Sequence, residues 1–196
     1  MRTVATQYIA MPHAYLSDGT LLVRAVQLAD IEAIRQWRNA QMDVLRQTEP
    51  ISQTEQNRYF AQYVWPEMIK SRPTQILVAL ESDGTLIGYG GLVNISWPNL
   101  RAEVSFLLSP QLEKDSVSLT DLFTRFLTLL KRLAFEDLRL RRLFTETYAH
   151  RTRHIAILET AGFLCEGRLR EHVLIDGKPM DAILHGVLSN ESNDDT

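Results

Sequence analysis

Leu119, Leu122, Phe123, Phe126, Leu127, Leu130, Leu133 and Ala134 recur at i, i+3, i+4 and i+7, with Thr124, Arg125, Thr128 and Lys131 on the opposite face. That period predicts a long amphipathic helix, and Ser118 and Asp121 are spaced as a capping box at its start. Asp30 is placed as an N-cap ahead of Ile31, Ile34 and Trp37, which predicts an earlier helix. Ser52 and Glu55 form a second capping-box pair ahead of Tyr59, Phe60, Tyr63 and Val64, and Pro66 and Pro73 bracket the end of that helix. A short helix over 152–160 is stopped by Gly162.

The remaining apolar runs read as strands. Ser17-Asp18-Gly19-Thr20 is a turn between extended pieces, the second of them over 21–26. Runs at 75–81, 86–95 and 102–108 are separated by the turns Ser82-Asp83-Gly84-Thr85 and Trp97-Pro98-Asn99, which predicts three consecutive antiparallel strands. Residues 142–147 form another strand. A terminal hairpin, 164–175 with 180–188, turns at Asp176-Gly177-Lys178-Pro179. Gly88, Gly90 and Gly91 lie inside a strand, so they predict a bulge or a close backbone approach and not a phosphate loop. A single domain over 14–188 is expected, with an N-terminal extension over 1–13 and a flexible acidic tail over 189–196.

Composition narrows the function classes. The chain has 196 residues, with 21 Lys+Arg against 24 Asp+Glu and a net charge of −3, so no general attraction to nucleic acid or to an anionic membrane is expected. No apolar run approaches the length of a membrane span, and residues 1–12 do not have the pattern of a signal peptide. Cys165 is the one cysteine; it is expected to be a small core residue, and a reducing, cytoplasmic setting follows. His150 and His154 have a spacing that can hold zinc on a helix. Arg151 and Arg153 lie between them and no acidic third ligand is evident, so no metal site is expected. There is no G-x-S-x-G, Walker or C-x-x-C sequence.

The order β, α, α, three strands, long α, β, short α, hairpin carries five motifs in sequence. They are Asp30-Ile31-Glu32-Ala33-Ile34, Leu86-Ile87-Gly88-Tyr89-Gly90-Gly91-Leu92, Ala102-Glu103-Val104-Ser105-Phe106-Leu107-Leu108, Ile157-Leu158-Glu159-Thr160-Ala161-Gly162-Phe163 with Glu166-Gly167-Arg168, and Asp176-Gly177 with Asp181. In this the chain resembles the GNAT superfamily of acyl-coenzyme A-dependent N-acetyltransferases, and in its last third the branch acting on ribosomal-protein N-termini. Trp37-Arg38-Asn39, with Ile51-Ser52 and Glu55, is similar to members acting on nucleotide-linked amino sugars.

The resemblance implies an α+β fold, an α/β/α sandwich. Its mixed, mostly antiparallel sheet would have six to seven strands, splayed between the fourth and fifth, and about four helices. It implies acetyl-CoA as co-substrate and a small-molecule or peptide amine as acceptor. Phe106, Leu107 and Leu108 would bond the pantetheine arm through their backbone, the Leu107 amide facing the thioester oxygen. Lys114, Asp115, Ser116, Val117 and Ser118 would lie at the diphosphate, with Arg151 in reach of it. The family pattern there, Q/R-x-x-G-x-G/A, is replaced by a glycine-free stretch with Glu113 in the basic or amide position. The usual Asn and Tyr of the short helix are Arg151 and Leu158, leaving Tyr148, His154 or a water as the acid for the leaving thiolate. Glu103 is the expected base, or else a surface residue paired with Arg101. Trp37, Arg38 and Asn39 would line the acceptor side. The departures also motivate a catalytically inactive binding or regulatory protein as the alternative. A homodimer built across the terminal hairpin is left open.

Overall fold

The structure is a computed structural model and describes residues 5–191; residues 1–4 of the expected extension and 192–196 of the expected tail lie outside them. In chain order the elements are β1 (Tyr15–Ser17), β2 (Leu21–Ala25), α1 (Ile31–Ala40), α2 (Gln53–Tyr59), α3 (Trp65–Met68), β3 (Ile76–Ser82), β4 (Thr85–Ser96) and β5 (Arg101–Leu108). They continue as α4 (Pro110–Lys114), α5 (Ser116–Lys131), β6 (Arg142–Tyr148), α6 (Thr152–Thr160), β7 (Leu164–Ile175) and β8 (Lys178–Leu188). The strands form one sheet in the order β1-β2-β3-β4-β5-β6-β8-β7. All neighbours are antiparallel except β5 and β6. The expected α+β sheet is present with eight strands, the added one being the three-residue β1. Six helical segments stand where about four were expected, because α3 and α4 are single turns.

Two boundaries differ from expectation for local reasons. The helix over Ser52 does not end at Pro66. It passes through a π-helical stretch, Phe60–Val64, into α3, where Pro66 sits in the first turn and needs no N–H partner. The capping box at Ser52 is formed: Ser52 Oγ accepts from Glu55 N at 3.3 Å, and Glu55 Oε2 accepts from Ser52 N at 2.9 Å. The long helix starts two residues earlier than its expected cap. Asp115 is the N-cap, Ser118 is already helical, and Asp121 pairs with Arg125 instead.

The sheet carries helices on both faces. Phe106 stacks on Phe123 of α5 at 4.2 Å and packs against Phe126 at 4.9 Å. On the other face Tyr89 meets Arg38 of α1. The close approach predicted for the β4 glycines is real: a Cβ on Gly90 would lie 2.1 Å from the Ser105 carbonyl oxygen and 2.9 Å from Phe126. Gly91 adopts φ +128°, and a Cβ there would lie 2.0 Å from the Ile76 carbonyl oxygen. Before β1, Tyr8 is fully buried in the core; its hydroxyl accepts from Leu77 N at 3.0 Å. Cys165 is exposed and not a core residue, because β7 is the outermost strand of the sheet.

Candidate active site

β5 and β6 pair at three positions only, Arg101 with Arg142, Ala102 with Leu143 and Glu103 with Phe144. Past Glu103 the two strands part. β5 stays with β4 as far as Leu108, and β6 stays with β8 as far as Tyr148. The wedge between them is a cavity of ≈ 190 Å³ whose walls include Val104 and Phe106 of β5, Thr145 and Tyr148 of β6, and His154 and Leu158 of α6. This is the expected splay.

Which backbone groups face the wedge follows from the pairing. Ser109 N donates to Ile87 O at 2.9 Å, and Leu107 and Tyr89 are the next facing pair of that kind two residues back. Antiparallel hydrogen bonding alternates along a strand. The Leu107 amide and carbonyl therefore point at β4; on the other edge the Val104 amide closes the last β5–β6 pairing, and the amides of Phe106 and Leu108 point into the wedge. The Leu107 amide, expected to face the thioester oxygen, is thus taken by β4, because a two-residue period leaves only alternate amides free, those of Phe106 and Leu108. The Leu108 carbonyl already accepts from Gln41 Nε2 at 2.9 Å. Thr145 Oγ1 is buried in the cavity wall with no partner. An open strand edge beside an orphaned hydroxyl suits an extended, amide-bearing arm such as pantetheine.

A charged cluster sits where the strands diverge. Glu103 is 8 % exposed and has both oxygens engaged. Oε1 accepts from Arg46 Nη2 at 2.9 Å and Oε2 from Asn94 Nδ2 at 2.7 Å. Its partner is not Arg101, whose guanidinium lies over the Phe144 ring at 5.5 Å. Asn94 reaches Glu103 because β4 is irregular between Val93 and Ser96, and Asn94 itself takes φ +50°. Such bulges re-aim side chains. Arg46 also reaches Glu146 Oε2 at 3.3 Å, and His172 of β7 is 3.6 Å from Glu146. One half-exposed guanidinium thus serves two largely buried carboxylates. Tyr148 lines the same cavity, and burial pushes its phenol above the ordinary tyrosine value, so it stays protonated at neutral pH.

Further along the wedge stands Arg151, largely buried, with Nη2 3.3 Å from Glu113 Oε1 and in contact with His154 Nε2. Burial lowers the His154 pKa to about 3, and the Arg151 charge adds to this, so His154 is neutral and accepts from Arg151. That removes His154 as an acid for a thiolate and leaves Tyr148 in the cleft. Burial outweighs the ion pair on both partners: Glu113 is pushed up and Arg151 down.

The glycine-free stretch folds as α4 followed directly by α5. Asp115 takes the first-turn donors of α5 for itself, accepting from Val117 N at 3.3 Å and from the Ser118 hydroxyl. Those contacts hold its carboxyl below the usual range. Asp115 is therefore an internal anion at the place expected for phosphate. Lys114, Ser116 and Val117 are exposed on the outside of this junction.

Of Trp37, Arg38 and Asn39, Arg38 lines a described cavity. Trp37 packs against the core. Asn39 clamps the 47–51 loop: its Oδ1 accepts from Ile51 N and Gln47 Nε2, each at 2.8 Å, and its Nδ2 donates to Ile51 O at 2.9 Å. Arg38 lines a second cavity of ≈ 490 Å³ on the α1–α2 face and donates only to neutral partners, Tyr89 Oη at 2.9 Å and Gln47 Oε1 at 3.1 Å. Arg46 borders both cavities. Sequence reasoning missed Arg46, Asn94 and Glu146. Arg46 lies in a stretch without periodicity, whereas Asn94, a polar residue within an apolar strand run, was a readable sign of a bulge.

The family model described as an acetyltransferase (GNAT) domain matches residues 23–184. A Bacillus subtilis (strain 168) protein that carries the name ribosomal N-acetyltransferase YdaF is 28% identical over 109 residues, 56% of this chain and 57% of that protein. The chain thus matches a little over half the length of that relative. Among solved structures, spermidine N-acetyltransferase from Vibrio cholerae, in complex with CoA and spermine, superposes with a TM-score of 0.76 at 20% identity, over 89% of this chain and 99% of that one. A probable acetyltransferase superposes with a TM-score of 0.70 at 21% identity, over 90% of this chain and 98% of that one. With a wedge opened at the only parallel pairing of the described sheet, and a family model spanning β2 to β8, this chain belongs to the GNAT acetyltransferase family.

Proposed function

We propose that the chain is an N-acetyltransferase that moves an acetyl group from acetyl-CoA to a primary amine by direct attack in a ternary complex. The observation that carries this reading is the open β5 edge facing an orphaned Thr145 hydroxyl across the wedge. The thioester supplies the acyl chemistry: the amine nitrogen forms the amide bond as the carbon–sulfur bond breaks. The Phe106 amide, fixed by the strand, donates to the thioester oxygen as negative charge builds there. Glu103 takes the proton lost by the amine, directly or through a water, once Arg46 moves aside. Tyr148, kept protonated by burial, gives its proton to the departing sulfur.

The acceptor carries an amine at the Glu103 end and an anionic group at the Arg38 end. Arg38 lines its cavity without a carboxylate partner among the described residues, and Arg46 connects the two spaces. This favours an amino-sugar nucleotide, or an amine with a carboxylate, over a polycation. Two carboxylates, Glu103 and Glu146, around one arginine support the contrary reading of a polyamine acceptor.

The test is turnover of acetyl-CoA with a panel of amino-sugar nucleotides, peptide N-termini and polyamines, for the wild type and Glu103→Gln. Wild-type turnover with the anionic acceptors is expected, with kcat lowered on the order of a hundredfold in the variant and coenzyme affinity unchanged. Equal turnover in the variant removes Glu103 from the mechanism. Absence of acetyl-CoA binding to the wild type removes the enzyme reading.

A further inference from the structure

The mouth of the cleft is crossed by an ion pair that the chemistry above does not use. Arg151 lines the wedge on one side and, on the other, a cavity of ≈ 230 Å³ shared with Asp43, Glu113 and Leu119 at the first turn of α5. The diphosphate of a donor lying along β5 would come to that place. The guanidinium there is already engaged by a carboxylate of the chain itself.

Resting on the donor reading above, we infer that Glu113 is an internal competitor for the donor's diphosphate: it holds Arg151, and coenzyme A seats fully only when Arg151 exchanges Glu113 for phosphate oxygens.

Three observations support the exchange. The Glu113 contact with Arg151 is long, 3.3 Å where charge-assisted bonds are commonly about 2.8 Å, and His154 Nε2 at 3.4 Å, itself an acceptor, offers it no proton. The other oxygen, Oε2, is buried with no partner, so the carboxylate is poorly compensated where it lies. Its surroundings are not a dedicated acid pocket. Asp43 opposes its charge, Arg153 and Arg151 favour it, and neutral His154 offers a ring nitrogen that already accepts from Arg151. A diphosphate presents several oxygens to the same planar guanidinium and satisfies it better than one long carboxylate contact. Asp115 holds the Val117 amide of α5, and Arg151, with Arg153, supplies the cationic lining of this cavity.

Wild type, Glu113→Gln and Arg151→Gln are titrated by calorimetry with coenzyme A and, separately, with pantetheine, which is the same arm without the diphosphate. Glu113→Gln is expected to bind coenzyme A about tenfold more tightly, the worth of one charge-assisted bond released from an internal rival, with pantetheine affinity unchanged. Arg151→Gln is expected to lose about tenfold for coenzyme A and nothing for pantetheine. Glu113→Ala, with no carbonyl left to rebond Arg151, repeats the test, and melting curves confirm that each variant is folded. Coenzyme A affinity that is equal or weaker in both Glu113 variants overturns the competition. So does a gain that pantetheine shares. A wild type that binds neither ligand overturns the donor cleft itself, which is a different failure.

Discussion

At the scale of single residues, environment decides which groups can work. His154 and Tyr148 are both buried beside the wedge, and burial moves them in opposite directions, each toward its neutral form. For His154 this has a consequence for stability. Its pKa falls from 6.5 in the unfolded chain to about 3 in the fold, so between those values the unfolded chain binds the proton and the native one does not. The contribution of neutral His154 is complete above about pH 6.5 and is lost as the pH falls toward 3. Glu113, raised by burial, acts in the opposite sense and is common to both proteins compared. His154→Gln should therefore show a flatter stability profile than the wild type between pH 4 and 7, by a few kcal/mol on the order expected for a shift of this size. Urea unfolding at several pH values checks this, and an unchanged slope would mean that His154 is solvated. The same scale shows the limit of reading residues from a string. The places of Glu103 and Tyr148 at the wedge were legible because strand ends set them. Leu107 was off by one because the string shows which residues form β5 and not which alternate amides are spoken for. Asn39 looked like a ligand for substrate and is a loop clamp, a role that depends on Ile51, twelve residues away.

At the scale of elements, β4 shows what a pattern can and cannot carry. The three glycines within an apolar run announced a close approach, and the structure supplies the objects approached. At Gly90 these are the Ser105 carbonyl and the Phe126 ring. Both are fixed, one by the β4–β5 ladder and one by the core, so neither can yield. Gly90→Ala should cost more than about 3 kcal/mol, in the range of the worst buried substitutions, and lower the thermal midpoint accordingly. Gly167, with open space around its Cα, is the matched control and should tolerate alanine. Equal midpoints for the two variants would show that β4 and β5 can separate at Gly90. The helices were less legible at their ends than in their bodies. The apolar stripe of α5 is in place from Leu119 to Leu130, but its cap moved to Asp115, because Asp115 presents its carboxylate to the Val117 amide and the Ser118 hydroxyl. No periodicity records which of several polar residues before a stripe takes that place. The π-helical stretch before Pro66 is hidden for a similar reason, since the extra residue is accommodated without breaking the apolar face.

At the scale of the molecule, the sheet consists of two antiparallel blocks, β1 to β5 and β6 to β8 with β7 outermost, joined by one short parallel seam. The order of strands and helices was legible because each block is local in sequence. The seam was not, because it pairs residues about forty positions apart and its length depends on where each strand finds its other partner. The wedge follows from that arrangement: both strands at the seam have a full ladder on their outer side and only three pairs on the inner one. The inner amides of Phe106 and Leu108 therefore have no strand partner, whereas those of Ser105 and Leu107 are held by β4. Amide hydrogen exchange resolves this alternation. In the free protein Phe106 and Leu108 should exchange faster than Ser105 and Leu107, since an unpaired amide needs no opening event before it exchanges. Adding acetyl-CoA should slow Phe106 and Leu108 while leaving Ser105 and Leu107 unchanged, because an arm laid along the edge completes the ladder on that side alone. A ligand seated elsewhere would slow only amides that exchange by global unfolding, by about 2.7 kcal/mol at a hundredfold excess over Kd, and would leave Phe106 and Leu108 as fast as before. Protection gained at Phe106 and Leu108 therefore separates a donor lying between the two blocks from one that only stabilises the fold, and unchanged exchange at these two residues on saturation with acetyl-CoA would place the donor outside the wedge.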